Sequence, residues 1–286
     1  MFKISTYGLE LSFHEPGDGF YEGTRFDRSG LFDSLVFRGT ELCGRWFEHY
    51  DPKAHDAVCG PVEEFAPVGF GSAAPGGTFF KPGAGLLVRP DDAPYDRFRL
   101  YKIADPGEWT VRRESDRIAF RHRLEGVYDY VKEIVLTDAS RMEIRHSLTP
   151  VTPLDTTVYN HNFFTFGRMS VGPSRCVDFP FAPECTWRAS YDSVALTPSG
   201  IRFSRQLTPG ESVYTGDIHV AGAAGMPYRI RLSEGSLAVS IEGDVPVTHT
   251  VFWANHRVAC PEPYNRVAAS AGDTFRWTIK YRFAYD

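Results

Sequence analysis

The sequence predicts an all-β protein of large packed antiparallel sheets, and three observations carry that prediction. Short runs alternate apolar and polar residues with a period of two. Gly, Pro, Asp and Ser interrupt these runs about every 8–12 residues, the spacing of an all-β architecture. Aromatic residues make up 14% of the chain, and large rings suit pleated surfaces.

Taken in order, the opening "MFKISTYGLELSF" reads as a first strand and has no signal-peptide core. Residues 51–97 are dense in Pro and Gly and cannot be mostly regular strand. Their apolar content predicts an ordered loop that lines something. In "RIAFRHRL", Ile118, Phe120, His122 and Leu124 share a face. "YDYVKEIVL" places Tyr128, Tyr130, Lys132, Ile134 and Leu136 together, and "MEIRHSL" does the same for Met142, Ile144, His146 and Leu148. The clearest alternation is the last, with Phe275, Trp277, Ile279, Tyr281 and Phe283 on one side. No amphipathic helix longer than two or three turns is expected. No composition break marks a boundary, so a single domain spanning residues 1–286 is expected.

The bulk properties exclude more than they assign. A chain of 286 residues can bury a sizeable core without disulfides or metal. A net charge of −5 leaves no electrostatic footprint for nucleic acid or an acidic membrane. No apolar stretch approaches the length of a membrane span. The five cysteines form no CxxC pair and read as reduced thiols, which predicts a cytoplasmic protein. There is no P-loop, dinucleotide fingerprint, nucleophile elbow or HExxH, and His and Cys do not fall at zinc spacings. The aromatic content also suits a carbohydrate binder, since rings stack on the C–H faces of sugars, though an all-β core accounts for it without any function.

Alternation makes polar residues on apolar faces informative. Lys132 either snorkels from a strand edge or is paired or set in a wet cleft. His122 and His146 read as core histidines. His249 falls with Val247, Val251 and Trp253 and either packs there or lines a cleft. The run "TTVYNHNFFTFG" is the sharpest case. His161 shares a face with Tyr159 and Phe163, while Asn160 and Asn162 point the other way. Buried amides there demand partners. In "HRVACPEPYNR", Glu262 lies between two prolines, which stiffen the backbone and remove two N–H donors. A carboxylate held in this way suits a general base, although an exposed Pro-rich turn fits the same letters.

At His161 and Glu262 the chain resembles the aldose 1-epimerase, or galactose mutarotase-like, superfamily, as a divergent branch. "YNHNFF" is similar to the family's Asn-His strand motif. "CPEPY" is similar to its Glu-Pro segment, "SAGDTF" to the following turn and "IKYRF" to the closing strand. The likeness covers roughly residues 95–286. The family's early Gly-Arg-x-x-Asn-Arg motif is missing, and Arg28 is taken as the stand-in for its arginine. The place of the family's second His is occupied by "CGPVEEF", with Glu63 and Glu64.

The resemblance implies a β-supersandwich with a sugar held in a broad cleft. It implies an isomerase that interconverts α and β anomers by acid–base ring opening, without cofactor or metal. His161 would be the acid at the ring oxygen and Glu262 the base at the C1 hydroxyl, facing each other across one hollow. Arg28, Glu64, Lys132, Tyr159 and His249 are expected to contact the sugar, and Arg28 with Lys132 hints at an anionic one. The expected partner is a small-molecule sugar, with no nucleic acid and no membrane, on a monomer or homodimer. The alternatives are a carbohydrate-binding protein without turnover, or a lyase or C-glycoside-cleaving enzyme on the same scaffold.

Overall fold

A 19-residue strand, Leu237–Asn255, joins two layers of sheet. In the computed structural model, which describes residues 1–167, 169–219 and 227–286, its first half pairs with Pro227–Glu234 on one side and Phe275–Tyr285 on the other. From there the first layer continues through Arg141–Pro150, Tyr128–Asp138, Arg117–Leu124 and Glu108–Arg113. The second half of the long strand pairs with Ala259–Ala269, which pairs with Leu154–Phe163, which pairs with Gly60–Phe65. A register shift between Val247 and His249 lies where the strand enters the second layer, as expected of a bulge that bends its strand.

The alternation read from the sequence is the burial pattern of the first layer. Ile118, Phe120, His122 and Leu124 are all buried, as are Met142, Ile144, His146 and Leu148. Register follows from it: Ile118 lies opposite Ile134, and Ile144 lies opposite both Ile134 and Ile279. Among the described residues there is no helix. The structure adds two small sheets that the sequence does not resolve. One has four strands between Phe2 and Glu41, and its Phe2 and Phe13 pack on Phe120. The other has three strands, Thr78–Lys81, Gly85–Val88 and Ile103–Asp105, and draws two of them from the Pro/Gly-rich stretch.

Between the two layers the core is not purely apolar. Phe65 of the second layer packs against Tyr130 and Trp277 of the first. Beside it, Lys132 pairs with Glu63, donates to the carbonyl of Ser29 at 3.0 Å and lies 3.8 Å from Asp27. His146 Nε2 meets Glu63 at 3.1 Å. Burial alone would raise the Glu63 carboxyl, but Lys132 and His146 overcome it and hold it down at about 2. Burial, with Glu63 alongside, pushes the Asp27 carboxyl up against the pull of Lys132. Lys132 is therefore neither a snorkelling edge residue nor a cleft residue, but the cation of a sealed inter-layer network. Lys132→Met leaves Glu63 without its main counter-charge, and loss of one partner of a buried pair costs about 3–5 kcal/mol. Urea unfolding should show that drop.

His122 is a neutral core histidine. Its Nδ1 accepts from the Gly83 N–H at 3.2 Å, its Nε2 donates to the Pro106 carbonyl at 2.8 Å, and the ring stacks on Trp109 at 4.1 Å. Gly83 has φ +75°, and a Cβ there would collide with Asp27. Burial holds the His122 pKa down at about 4. The unfolded chain therefore takes up this proton first. The stability it contributes is complete above pH 6.5 and declines as the pH falls toward 4. His122→Gln should flatten that part of the stability–pH curve, measured by the urea midpoint at each pH.

Candidate functional site

Period-two geometry explains the Asn-His-Asn triplet. On Leu154–Phe163, Asn160 and Asn162 face the inter-layer core. Asn160 Nδ2 donates to Glu63 at 3.1 Å, and the Tyr281 hydroxyl reaches both amide oxygens, at 2.8 and 2.9 Å. Asn162 Nδ2 donates to the Pro261 carbonyl at 2.9 Å. His161 points the opposite way, between Tyr159 and Phe163, with ring centroids at 4.7 and 5.3 Å. The neighbouring strand repeats the division. Glu63 faces the core, and Glu64 faces the same side as His161, with its Oε2 3.3 Å from His161 Nε2.

Glu262 reaches the same place from the other side. Tyr159 lies opposite Tyr264 and, in the same register, Phe164 opposite Ala259. That register sets His161 opposite Glu262. Pro261 and Pro263 lack the N–H groups a ladder needs, and no strand pairing is formed between those two points. The side chains meet instead: His161 Nδ1 is 3.2 Å from Glu262 Oε1, and Cys260 Sγ is 3.9 Å from the same nitrogen. The expectation that imidazole and carboxyl face each other across a hollow is corrected here. They are cross-strand neighbours in contact on one wall of it.

That wall bounds a cavity of about 630 Å³, within the range of small-molecule sites. His161, Phe163, Glu262, Tyr264, Val251 and Trp253 line it from the sheet. Loops supply Arg25, Trp46, His55, Arg97, Phe98 and Arg188. Residues 51–97 thus contribute to the lining, as their composition predicts. His161 and Glu262 are 1% and 4% exposed, so only a small part of each meets the cavity.

The electrostatics centre on Glu64. Burial would raise its carboxyl, but Arg25 at 2.6 Å, the His161 contact and the field of Lys81 hold it well below the usual range. Arg97 lies 3.8 Å away and donates to the Tyr159 hydroxyl. Burial also brings Lys81 down to about 8, while its ammonium donates to the Arg25 carbonyl at 2.6 Å. His161 is flanked by a carboxylate at each nitrogen. Nε2 faces Glu64 without an aligned hydrogen bond, and Nδ1 faces Glu262 and Cys260.

The other expected contacts divide. His249 lines the cavity, stacked on Tyr264 at 4.2 Å, and burial lowers its pKa. Tyr159 stacks on Tyr264 at 4.0 Å and Glu64 braces His161, but neither belongs to the cavity lining. That corrects the contacts expected of Tyr159 and Glu64, and two more expectations are corrected with them. Arg28 donates to the carbonyls of Glu22 and Gly23, away from the cavity; Arg25, three residues earlier, takes the place expected of it. Lys132 lies between the layers. The anionic-sugar hint that rested on these two residues goes with them. Arg25, Arg97, Arg188 and Asp217 had no periodic signal, because they lie outside the strands, and Tyr214 ends a strand of three residues, too short to show one.

No family model matches the chain, and no curated protein matches it in sequence. Solved structures do. A galactose mutarotase related enzyme from Lactobacillus acidophilus superposes with TM-score 0.59 at 9% identity, over 99% of this chain and 96% of that one. The GalM/aldose epimerase homologue from C. elegans gives 0.58 at 15%, over 99% and 98%. A galactose mutarotase-like protein from Clostridium acetobutylicum gives 0.57 at 14%, over 99% and 95%. The chain has the galactose mutarotase-like fold. Similarity at this level carries the architecture and leaves the chemistry to the residues.

Trp46 and Trp253 line the cavity, whereas Trp109 and Trp277 stack on His122 and His146 elsewhere. A sugar that enters should change the intrinsic fluorescence. Trp253→Phe should remove much of that change and Trp109→Phe none of it.

Proposed function

We propose that the protein is a carbohydrate-active isomerase of the aldose 1-epimerase type, opening and reclosing a pyranose ring by general acid–base catalysis. The observation that carries this reading is the contact of His161 with Glu262 on the wall of an aromatic and arginine-lined cavity. The reaction needs two proton transfers, at the C1 hydroxyl and at the ring oxygen. Both oxygens are bonded to C1, so an acid and a base side by side on one wall reach both.

Glu262 takes the proton of the C1 hydroxyl, and His161 gives one to the ring oxygen as the bond from C1 breaks. The aldehyde turns about C1–C2, and closure on the other face runs the transfers in reverse. Glu64 orients the imidazole through its far nitrogen, and Arg25 holds Glu64 ionised. Pro261 and Pro263 fix the backbone that presents Glu262. Trp253, Tyr264 and Phe98 offer ring faces to the sugar.

The test is exchange between anomers, followed by NMR and polarimetry over a panel of aldoses. His161→Ala and Glu262→Gln should each lower the rate by roughly 10²–10⁴-fold with the fold intact by circular dichroism. Rates near wild type in either variant would remove the assignment. Saturable binding without accelerated exchange, for every aldose tried, would make the protein a carbohydrate binder instead.

A further inference from the structure

Cys260 lies just beneath this wall, outside the cavity lining, and ring opening does not use it. It is fully buried, and two positions along the same strand from Glu262, so both side chains leave the same face. His161 Nδ1, Cys260 Sγ and a Glu262 oxygen all lie within 4.8 Å of one another. A tetrahedral zinc ion with bonds of about 2.0–2.3 Å spaces its donor atoms about 3.3–3.8 Å apart. The 3.2 and 3.9 Å separations about Nδ1 bracket that spacing. Nitrogen, thiolate and carboxylate are also the donors zinc takes.

A second observation concerns the far side of the ring. Metal-bound histidines characteristically donate their other N–H to a carboxylate, which fixes the tautomer. His161 Nε2 lies 3.3 Å from Glu64 Oε2, within reach of that bond although it is not aligned for it in this structure, and Arg25 pairs with the same carboxylate. With the proton on Nε2, the Nδ1 lone pair faces the Glu262 carboxylate at 3.2 Å. Two electron-rich atoms at that distance repel unless a proton or a metal cation lies between them. Pro261 and Pro263 hold the two strand ligands in place without any ion.

We propose that His161, Cys260 and Glu262 form a binding site for a thiophilic divalent cation, zinc being the natural fit, with its remaining coordination position turned to the cavity. Binding replaces the thiol proton, which leaves to solvent. The proposal needs only this geometry and does not rest on the sugar reaction. Occupancy would engage both groups assigned to proton transfer, so zinc is expected to block ring opening.

The test uses the full chain, freed of metal with a chelator and titrated with cobalt(II). One equivalent should bind, with the charge-transfer absorption of a cobalt–thiolate bond, and zinc should displace it. Cys260→Ser and His161→Ala should each abolish the band, and Cys176→Ser should keep it. Glu64→Gln should keep the band and weaken binding roughly 10–100-fold. Circular dichroism checks each fold, and the histidine variant decides the matter if the serine variant does not fold. Absence of the band in folded wild-type protein, or its persistence in His161→Ala, overturns the site.

Discussion

The Lys132–Glu63 pair between the layers is the constraint on which the cavity depends. A strand sends successive side chains to opposite faces, and a slip of one residue exchanges the two faces. Glu63 is held inward by Lys132, His146 and Asn160. With Glu63 inward, Glu64 must face out. Asn160 is held inward by Glu63 and Tyr281, so His161 must face out. Asn162, bonded to Tyr281 and Pro261, ties the third strand to the same register. Burying these ions and amides is costly, and an apolar core would be easier to build. A slip of one residue would carry Glu63 and Asn160 away from Lys132, His146 and Tyr281, so the network adds a second penalty to the one an apolar face already imposes.

The same division gives the two acidic neighbours opposite tasks. Glu63 neutralises cations in a sealed space. Glu64, next to it in the chain, is held ionised by Arg25 behind the wall of an open one. Arg25 is itself a loop residue, and its own carbonyl is held by the buried ammonium of Lys81. The cavity thus has a sheet wall of fixed register and a loop rim anchored to it through one carboxylate.

Much of this was legible from the letters. Alternation marked the strands of the first layer, and polar residues breaking it marked His161 and the two asparagines. The Pro-Glu-Pro segment marked Glu262. Lys132 was equally visible as a polar residue on an apolar face, but period-two reasoning cannot tell which neighbour that face meets. It faces the second layer and not the cavity. Arg25 and Arg28 lie three apart in a loop with no period to separate them, and only tertiary contact does so. The contact of His161 with Glu262 depends on the pairing register of two strands far apart in the chain, and no local pattern encodes it.

That contact shapes what the wall can do. An isolated buried carboxylate would exchange water for any incoming hydroxyl and reorganise as it did so. Glu262 already has an imidazole for a neighbour, and that imidazole is packed between Tyr159 and Phe163 with Glu64 behind it. The desolvation and orientation of the pair are settled when the chain folds, which is the condition under which polar groups contribute most to a transition state. The arrangement has a consequence for selectivity too. Whatever binds must satisfy an imidazole nitrogen and a carboxylate oxygen together, within one small angle of approach. On the proposed reading, the C1 hydroxyl and the ring oxygen of a sugar are the atoms that meet this pair, and the rim of rings and arginines selects among the molecules that carry them.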